Sequence, residues 1–317
     1  MAVNQKQIAE RVGVSISLVS RVLSGNAREI GIAEDTIGRV IEVANEMGYV
    51  PNVAARMLKG KSSHTIGVVV YDFQDPFFGV SIEQLQSEVH EHGYSLVVAG
   101  FRGRQPEESD LAPLHKHALD GLVVLGSAHY SEWLEGFGNM PVVRVGHGEE
   151  GEHSVRVTID EDDAARQLLG HLATRGLDRF VFIGSDLFVH HVRHRAMERT
   201  ASHMGLRMEC LIAPGHGFAA GFHAAQQLLS EAAAAPALVC ATDKIAMGAL
   251  HALHDAGLRW PVTGFDDVPL AAEFIPSITT IRQPIDAIMK QAFSSIVDPN
   301  PPTETLFPGK LMVRSSS

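Results

Sequence analysis

The stretch whose reading decides the fold is Ile8-Ala9-Glu10-Arg11-Val12-Gly13-Val14-Ser15-Ile16-Ser17-Leu18-Val19-Ser20-Arg21-Val22-Leu23. Ile8, Ala9 and Val12 recur at the spacing that puts them on one face of a short helix. Asn4 and Gln7 have the spacing of a capping box, with Asn in place of the usual Ser or Thr. Gly13-Val14-Ser15 predicts a tight turn, because Gly13 can take positive φ and Ser15 can cap the next helix. That second helix, about Ile16 to Leu23, should bury Val19, Val22 and Leu23. It should leave Ile16, Ser17, Leu18 and Arg21 toward its outer, N-terminal side. A third helix has apolar positions at Ile37, Val40, Ile41 and Ala44 and ends at Gly48. Two short helices joined by a turn, the second exposing varied side chains, make a helix-turn-helix arrangement. Periodicity alone would also fit a generic three-helix unit.

Beyond residue 65 the pattern changes. Short β-rich runs read as strands at Ile66–Tyr71, Ser95–Ala99, Gly121–Leu125, Val142–Val145, Phe180–Ile183, Ala237–Ala241 and Pro261–Phe265. Helical patterns lie between them, for example Ile82–His92, Asp162–Thr174, Phe218–Ser230 and Lys244–Ala256. Continuous apolar strands alternating with helices predict parallel sheets in an α/β architecture, and so many strands fit two sheets better than one. Small ligands in such folds bind at the carboxyl ends of strands, often between lobes.

Composition bounds the function classes. A chain of 317 residues, 45% hydrophobic and 20% charged, fits two or three ordinary globular domains. No run approaches the ~18 apolar residues of a membrane span, and Asn4 to Gln7 interrupt any signal peptide. Cys210 and Cys240 are too few for a disulfide framework or a structural zinc site. The expectation is a cytoplasmic protein. Of the 26 Lys/Arg and 37 Asp/Glu, residues 1–64 hold eight and six, which leaves 18 and 31 for the rest. A mildly basic head on an acidic body would let the head meet phosphates while the body stays off them.

Two stretches of the literal sequence carry more than periodicity does. Ile8 to Leu23 and Gly48-Tyr49-Val50-Pro51-Asn52-Val53-Ala54-Ala55-Arg56-Met57-Leu58 resemble the headpiece and hinge of the LacI family of transcription regulators. Asp75-Pro76-Phe77-Phe78, Gly264-Phe265-Asp266-Asp267, Thr279-Thr280-Ile281-Arg282-Gln283-Pro284 and Leu311-Met312-Val313-Arg314-Ser315-Ser316 resemble its sensor domain. The resemblance thus runs over nearly the whole chain. It implies an all-α helix-turn-helix headpiece (1–50), a hinge helix and linker (51–64), and an α/β, two-lobed, periplasmic-binding-protein-like (type I) effector domain (65–317). In the family the chain crosses between lobes three times. Lobe one is therefore expected at about 65–159 plus 285–317, and lobe two at about 160–284.

By the same resemblance Ser15, Ile16, Ser17, Leu18 and Arg21 would meet the major groove. Ile16 would touch it by apolar contact, as with a thymine methyl, and Arg21 would pair with guanine or a phosphate. Asn52, Ala55 and Leu58 would belong to a short helix on the operator, with Leu58 wedged into the minor groove. Phe77 and Phe78 would line the cleft, Asp163 and Arg195 would bind effector hydroxyls or charges, and Asp266 would accept hydrogen bonds. Asp266 and Arg195 can instead pair structurally. Either Phe218 or His216 would supply the usual cleft aromatic. The chain departs from the family pattern at Thr242, where Asn usually precedes Asp243, and at Glu198, where a Gly usually follows the site arginine by three. The loop Trp260-Pro261-Val262-Thr263 is shortened, and the loop Gly25 to Gly31 is longer.

Other motifs fail on context. Gly146-His147-Gly148-Glu149-Glu150-Gly151 satisfies G-x-G-x-x-G, but a β-branched run, Val155 to Ile159, follows where a helix N-terminus is needed. Gly60-Lys61-Ser62 echoes a phosphate loop, but Ala55 stands where the first Gly is required. In the cluster His190, His191 and His194, His190 and His194 stand one helical turn apart; two histidines at that spacing without a third convergent ligand read as surface residues. No nucleophile–base–acid motif appears. The expectation is a homodimeric, repressor-type regulator with no cofactor and no metal, whose partners are a near-palindromic double-stranded DNA operator and a sugar- or nucleoside-like effector, with no membrane partner. The missing heptad tail favours a dimer over a tetramer. A solute-binding protein of transport is the alternative, disfavoured by the headpiece. A sugar-processing enzyme is disfavoured by the missing catalytic set.

Overall fold

Local chemistry fixes the first helices. Asn4 Oδ1 accepts from the Gln7 amide at 3.0 Å while Gln7 Oε1 accepts from the Asn4 amide at 2.9 Å, so the capping box starts α1 (Gln5–Val12). Gly13, at φ 78°, closes α1, and Ser15 Oγ accepts from the Leu18 amide at 3.2 Å to open α2 (Ile16–Leu23). With α3 (Glu34–Glu46) these helices enclose a small core of Ile8, Ala9, Val12, Val19, Val22, Val40 and Ala44. Ile41, expected inside, is exposed; Ile37 and Val43 pack at the edge of the core. The computed structural model describes residues 3–24, 27, 31–49, 62–101, 103–104, 106–126, 132–148, 154–231 and 235–317. The hinge residues Asn52, Ala55 and Leu58, most of the loop Gly25 to Gly31, and Gly60-Lys61 lie outside the described residues. The chain divides into two compact units, Met1–Ser63 and His64–Ser317.

The second unit is built on two parallel sheets. The first is six-stranded: β1 (Thr65–Val70) lies between β2 (Ser95–Gly100) and β3 (Gly121–Leu125). β4 (Val142–Val145), β5 (Ser154–Ile159) and β11 (Glu304–Phe307) follow in that order. The helices α4 (Pro76–Glu91) and α11 (Ile285–Val297) cover one face, through Phe78, Leu85, Val89, Ile288, Met289 and Phe293. On the other face α5 (Glu108–Lys116) packs Leu111 and Leu114 beside Val69 and Val124. The second sheet has the order β7 (Arg207–Ile212), β6 (Arg179–Gly184), β8 (Ala237–Cys240), β9 (Val262–Thr263). Around it lie α6 (Glu161–Thr174), α7 (Phe188–His203), α8 (Phe218–Glu231), α9 (Asp243–Asp255) and the short α10 (Pro269–Glu273). β1, β3, β4 and β8 are buried almost throughout, which is why their sequences are continuous apolar runs.

Three features differ from the expectation. β7 was not foreseen: it is an edge strand in which only Met208 and Leu211 are half-buried, so Arg207 to Ile212 mixes charged and apolar residues with neither a continuous run nor a clean alternation. The strand expected over Pro261–Phe265 shrinks to two residues. The third concerns the tail. β12 (Lys310–Met312) pairs antiparallel with β10 (Thr280–Arg282), the Val262 amide donates to Ser316 O at 2.8 Å, and Arg175 Nη1 donates to Ser317 O at 2.6 Å. Residues 310–317 therefore pack with the second sheet, not with lobe one as the span 285–317 supposed. The three crossings fall after β5, before α11 and after β11. Gln167 holds the last one, donating to Gly309 O at 2.8 Å and accepting from the Leu311 amide at 3.0 Å.

The closest helix contact in this unit is α8 against α9. A Cβ on Gly221 would collide with the carbonyl oxygen of Ile245, and one on Gly248 with that of Phe218. Backbone cannot give way as a side-chain tip does. Gly170, within α6, has open space where its Cβ would be. Gly248→Ala should therefore cost about 1–3 kcal/mol of unfolding free energy, while Gly170→Ala should add about 0.5–1 kcal/mol. Urea midpoints of the two variants against the parent check both signs.

Candidate functional site

In the first unit the candidate surface is the outer face of α2. Val19 and Val22 point into the core, which leaves Ser15, Ile16, Ser17 and Arg21 exposed and Leu18 half-buried. Ile16 is 48% exposed, a branched apolar side chain in water with no core to serve. Ser15 spends its hydroxyl on capping the helix. The face thus offers one apolar tip, one free hydroxyl residue and one guanidinium along a single short helix, the size and chemistry that base edges and phosphates require.

In the second unit a cavity of about 90 Å³ lies where the carboxyl ends of both sheets converge. From the first sheet come Tyr71, Asp72, Asp75, Phe77 and Phe78 after β1, and Val145 and His147 at the end of β4. Gly126, at φ 102°, follows β3; a Cβ there would press on Phe78 and Tyr71. From the second sheet's side come Glu161, His190, Arg193, His216, Thr242 and Asp266. This is where doubly wound sheets place ligands, because loops diverge from the strand ends and open a crevice.

The centre of the wall is an ion pair. Arg193 donates through Nε and Nη2 to both Glu161 oxygens at 2.9–3.2 Å, and through Nη1 to Ala241 O at 2.5 Å. Its guanidinium lies 3.4 Å from the Phe265 ring centroid. Both residues are buried, at 3% and 5% exposure. Burial opposes the charge on Glu161, but Arg193 and hydrogen bonds from His147 and Arg193 outweigh it and hold the carboxyl below its ordinary range. Burial opposes the charge on Arg193 too, and Glu161 more than restores it.

Thr242 and Asp266 line the cavity with Phe77 and Phe78, as the sequence placed them. Asp163, Arg195 and Phe218 do not. Asp163 sits in the first turn of α6 and takes up Arg166 at 3.3 Å and Gln167 at 2.7 Å. Arg195 is exposed, and Phe218 turns to the His251 ring, 5.6 Å away. The corresponding cavity positions are Glu161, Arg193 and His216. The buried stripe of α7 is His190, Arg193, Ala196, Met197, Thr200 and Ala201; that of α6 runs from Glu161 through Ala164 to Leu168 and Leu172. Read at helical spacing, either stripe selects the inward residue two positions earlier. His190 is not a surface residue but is 2% exposed, and its Nδ1 accepts from the Ser185 amide at 3.0 Å. No metal-holding group of three or more His, Cys, Asp or Glu occurs among the described residues.

A helix with a free outer face in one unit and a cavity at the strand ends of two sheets in the other fit a ligand-responsive transcription regulator. A family model described as bacterial regulatory proteins, lacI family, matches residues 5–52, and one for a periplasmic binding protein-like domain matches residues 169–317. The chain is 30% identical over 311 residues to the HTH-type transcriptional repressor PurR of Salmonella paratyphi B, covering 92% of this chain and 89% of that one. Among solved structures it is similar to the Lac repressor dimer bound to operator and the anti-inducer ONPF, with TM-score 0.83, 22% identity, and coverage of 100% and 99%. It is also similar to the transcriptional regulator CelR–cellobiose complex, with TM-score 0.70, 23% identity, and coverage of 99% and 100%. The chain belongs to the LacI family of bacterial regulatory proteins.

Burial first, and Arg193 second, lower the His190 pKa from 6.5 to about 3. Between those values the unfolded chain binds a proton that the folded chain refuses, so His190 takes stability away as pH falls below about 6.5. Asp243, raised by burial to about 7, acts in the opposite sense, so a comparison with a variant isolates the histidine. His190→Asn keeps an acceptor for Ser185 and removes the titration. Relative to the parent it should gain about 1.4 kcal/mol for each pH unit below 6.5. Urea unfolding at pH 6.5, 5.5 and 4.5 reads that slope, and parallel curves would remove the assignment.

Proposed function

We propose that this protein is a homodimeric, cytoplasmic repressor that binds a near-palindromic DNA operator and is controlled by a sugar- or nucleoside-like molecule held unchanged between the two lobes. The observation that carries the reading is the pairing of an α2 whose outer face is free with a cavity lined from both sheets. The relative PurR is named a transcriptional repressor, one similar structure holds operator DNA and another holds cellobiose. A two-fold protein reads two-fold DNA, so the half-sites mirror each other. Ligand and operator then influence one another by a coupling free energy, typically about 1–3 kcal/mol in such systems. Ile16, Ser17 and Arg21 are the proposed base and phosphate contacts. Asn52, Ala55 and Leu58 are the proposed hinge contacts, with Leu58 as the minor-groove wedge.

Selection from random duplex DNA with the full-length protein, at one fixed salt concentration, should enrich a near-palindrome. Folded, dimeric protein that enriches nothing, with or without pooled sugars and nucleosides, would contradict the proposal. On the selected site Leu58→Gly should weaken specific binding about 10-fold or more and leave nonspecific binding nearly intact. An equal loss in both would remove the wedge, since nonspecific affinity rests on phosphate charge alone. Asp266→Ala should retain operator affinity and lose the response to any effector that releases the parent.

A further inference from the structure

The cavity's charges are unbalanced. Its walls hold four carboxylates, Asp72, Asp75, Glu161 and Asp266, against one guanidinium, Arg193. That guanidinium is paired with Glu161, donates to the Ala241 carbonyl and stacks on the Phe265 ring, which leaves it one N–H each on Nη1 and Nη2. His190 cannot replace it, because burial and Arg193 keep the ring neutral. His216 Nε2 stands 3.7 Å from Asp72, so that carboxylate has a partner when the histidine is protonated. Asp75 and Asp266 have no ion pair among the described residues.

Their remaining hydrogen bonds leave one oxygen each unused. Asp75 Oδ1 accepts from the Phe77 amide at 3.0 Å, and Asp266 Oδ1 accepts from Gln283 Nε2 at 2.8 Å. No described group donates to either Oδ2. Asp266 is 7% exposed and faces the cavity. Burial raises its pKa first of all; the Arg193 charge opposes that without outweighing it, and Asp243 and Asp75 raise it further, so the two cleft acids feel one another. Burial likewise raises Asp75, against smaller opposing effects of the Phe77 amide and then of the Lys244 ammonium. One acid follows the first sheet's β1 and the other follows the second sheet's β9. A buried carboxylate whose countercharges stand beyond contact distance is unfavourable in proportion to the water it has lost. Hydroxyl donors would satisfy its lone pairs without cancelling the charge.

We propose that the ligand for which this cleft is built carries a cationic nitrogen, as in an aminated sugar or an aminated nucleoside, seated between Asp75 of one lobe and Asp266 of the other. The inference rests on the sensor reading and narrows it. A cation there meets both acids, compensates one unit of their charge and draws the lobes together. A phosphorylated or carboxylated ligand adds negative charge to a site whose lining carboxylates already outnumber its cations.

Calorimetric titration of the full-length protein at pH 7.5 with matched sets tests this: glucosamine, glucose and glucose 6-phosphate; galactosamine, galactose and galactose 1-phosphate; 5′-amino-5′-deoxyadenosine, adenosine and its 5′-monophosphate. The expected result is that an aminated member binds at least about tenfold more tightly than its neutral parent, and that phosphorylated members do not bind. In Asp266→Asn, which keeps the shape and tolerates the positive φ of 107° at this position, the preference should fall below about threefold. The ligand-free variant should also melt higher than the parent, because an acid whose burial outweighs the Arg193 charge is gone. A neutral or phosphorylated member that binds as well as its aminated partner overturns the proposal. So does a panel in which no aminated member binds, or a ligand-free Asp266→Asn that melts no higher than the parent. Operator selection is read separately, so the regulator reading survives any of these failures.

Discussion

The second lobe is organised around the salt bridge between Glu161 and Arg193. Glu161 is the first residue of α6, directly after the chain leaves the first sheet, and Arg193 lies on α7. The same guanidinium binds the carbonyl that follows β8 and stacks on the aromatic ring that follows β9. One side chain thereby fixes four segments against each other. Such a pair gains its stability from completeness, since each charge has lost its water and each lone pair needs a partner. Removing one member leaves a bare charge in the interior, whereas both together are close to neutral. The cavity inherits a rigid, polar wall in which most hydrogen-bonding capacity is already assigned. What remains for a ligand is then defined by the few atoms left over, chiefly on Asp75, Asp266 and His190.

The headpiece depends on different forces. Its core is eight small and medium apolar side chains, so caps and turn residues carry a large share of its definition. Asn4, Gly13 and Ser15 each act at a helix end, and each does so through its own backbone preference or a short hydrogen bond. The outer face of α2 is thus left without structural duty. A side chain that stabilises nothing is free to read a base.

Much of this was legible in the sequence. β1, β3 and β4 declare themselves because both faces are buried, and the capping box and Gly13 turn are written in residues that do little else. The cleft acids and aromatics at Phe77, Phe78 and Asp266 follow strand ends that the pattern already marks. The pair at the centre was missed by two positions, and the reason is physical. In Val189-His190-His191-Val192-Arg193-His194-Arg195 the buried stripe is itself polar, so hydropathy does not separate it from the exposed face. In Glu161-Asp162-Asp163 all three acids suit a helix N-terminus, and only the spacing to Ala164, Ala165 and Leu168 singles out the first. β7 escaped because an edge strand needs no apolar run, and the tail's return escaped because nothing local in residues 310–317 names the sheet it joins.

That return has a consequence for the order in which the molecule comes into being. Each lobe is assembled from pieces far apart in the chain, and β10, which forms its own two-stranded sheet with β12 beside the second sheet, lacks its partner until residues 310–312 exist. Contacts of such long range form late, because the loop they close must first be ordered. The headpiece, by contrast, closes its core within residues 8–44 and precedes the sensor in the chain, and domains generally fold as units in the order they are made. A nascent chain therefore carries a finished reading head well before it owns the sensor that governs it. During that interval, any hold on DNA is blind to the ligand.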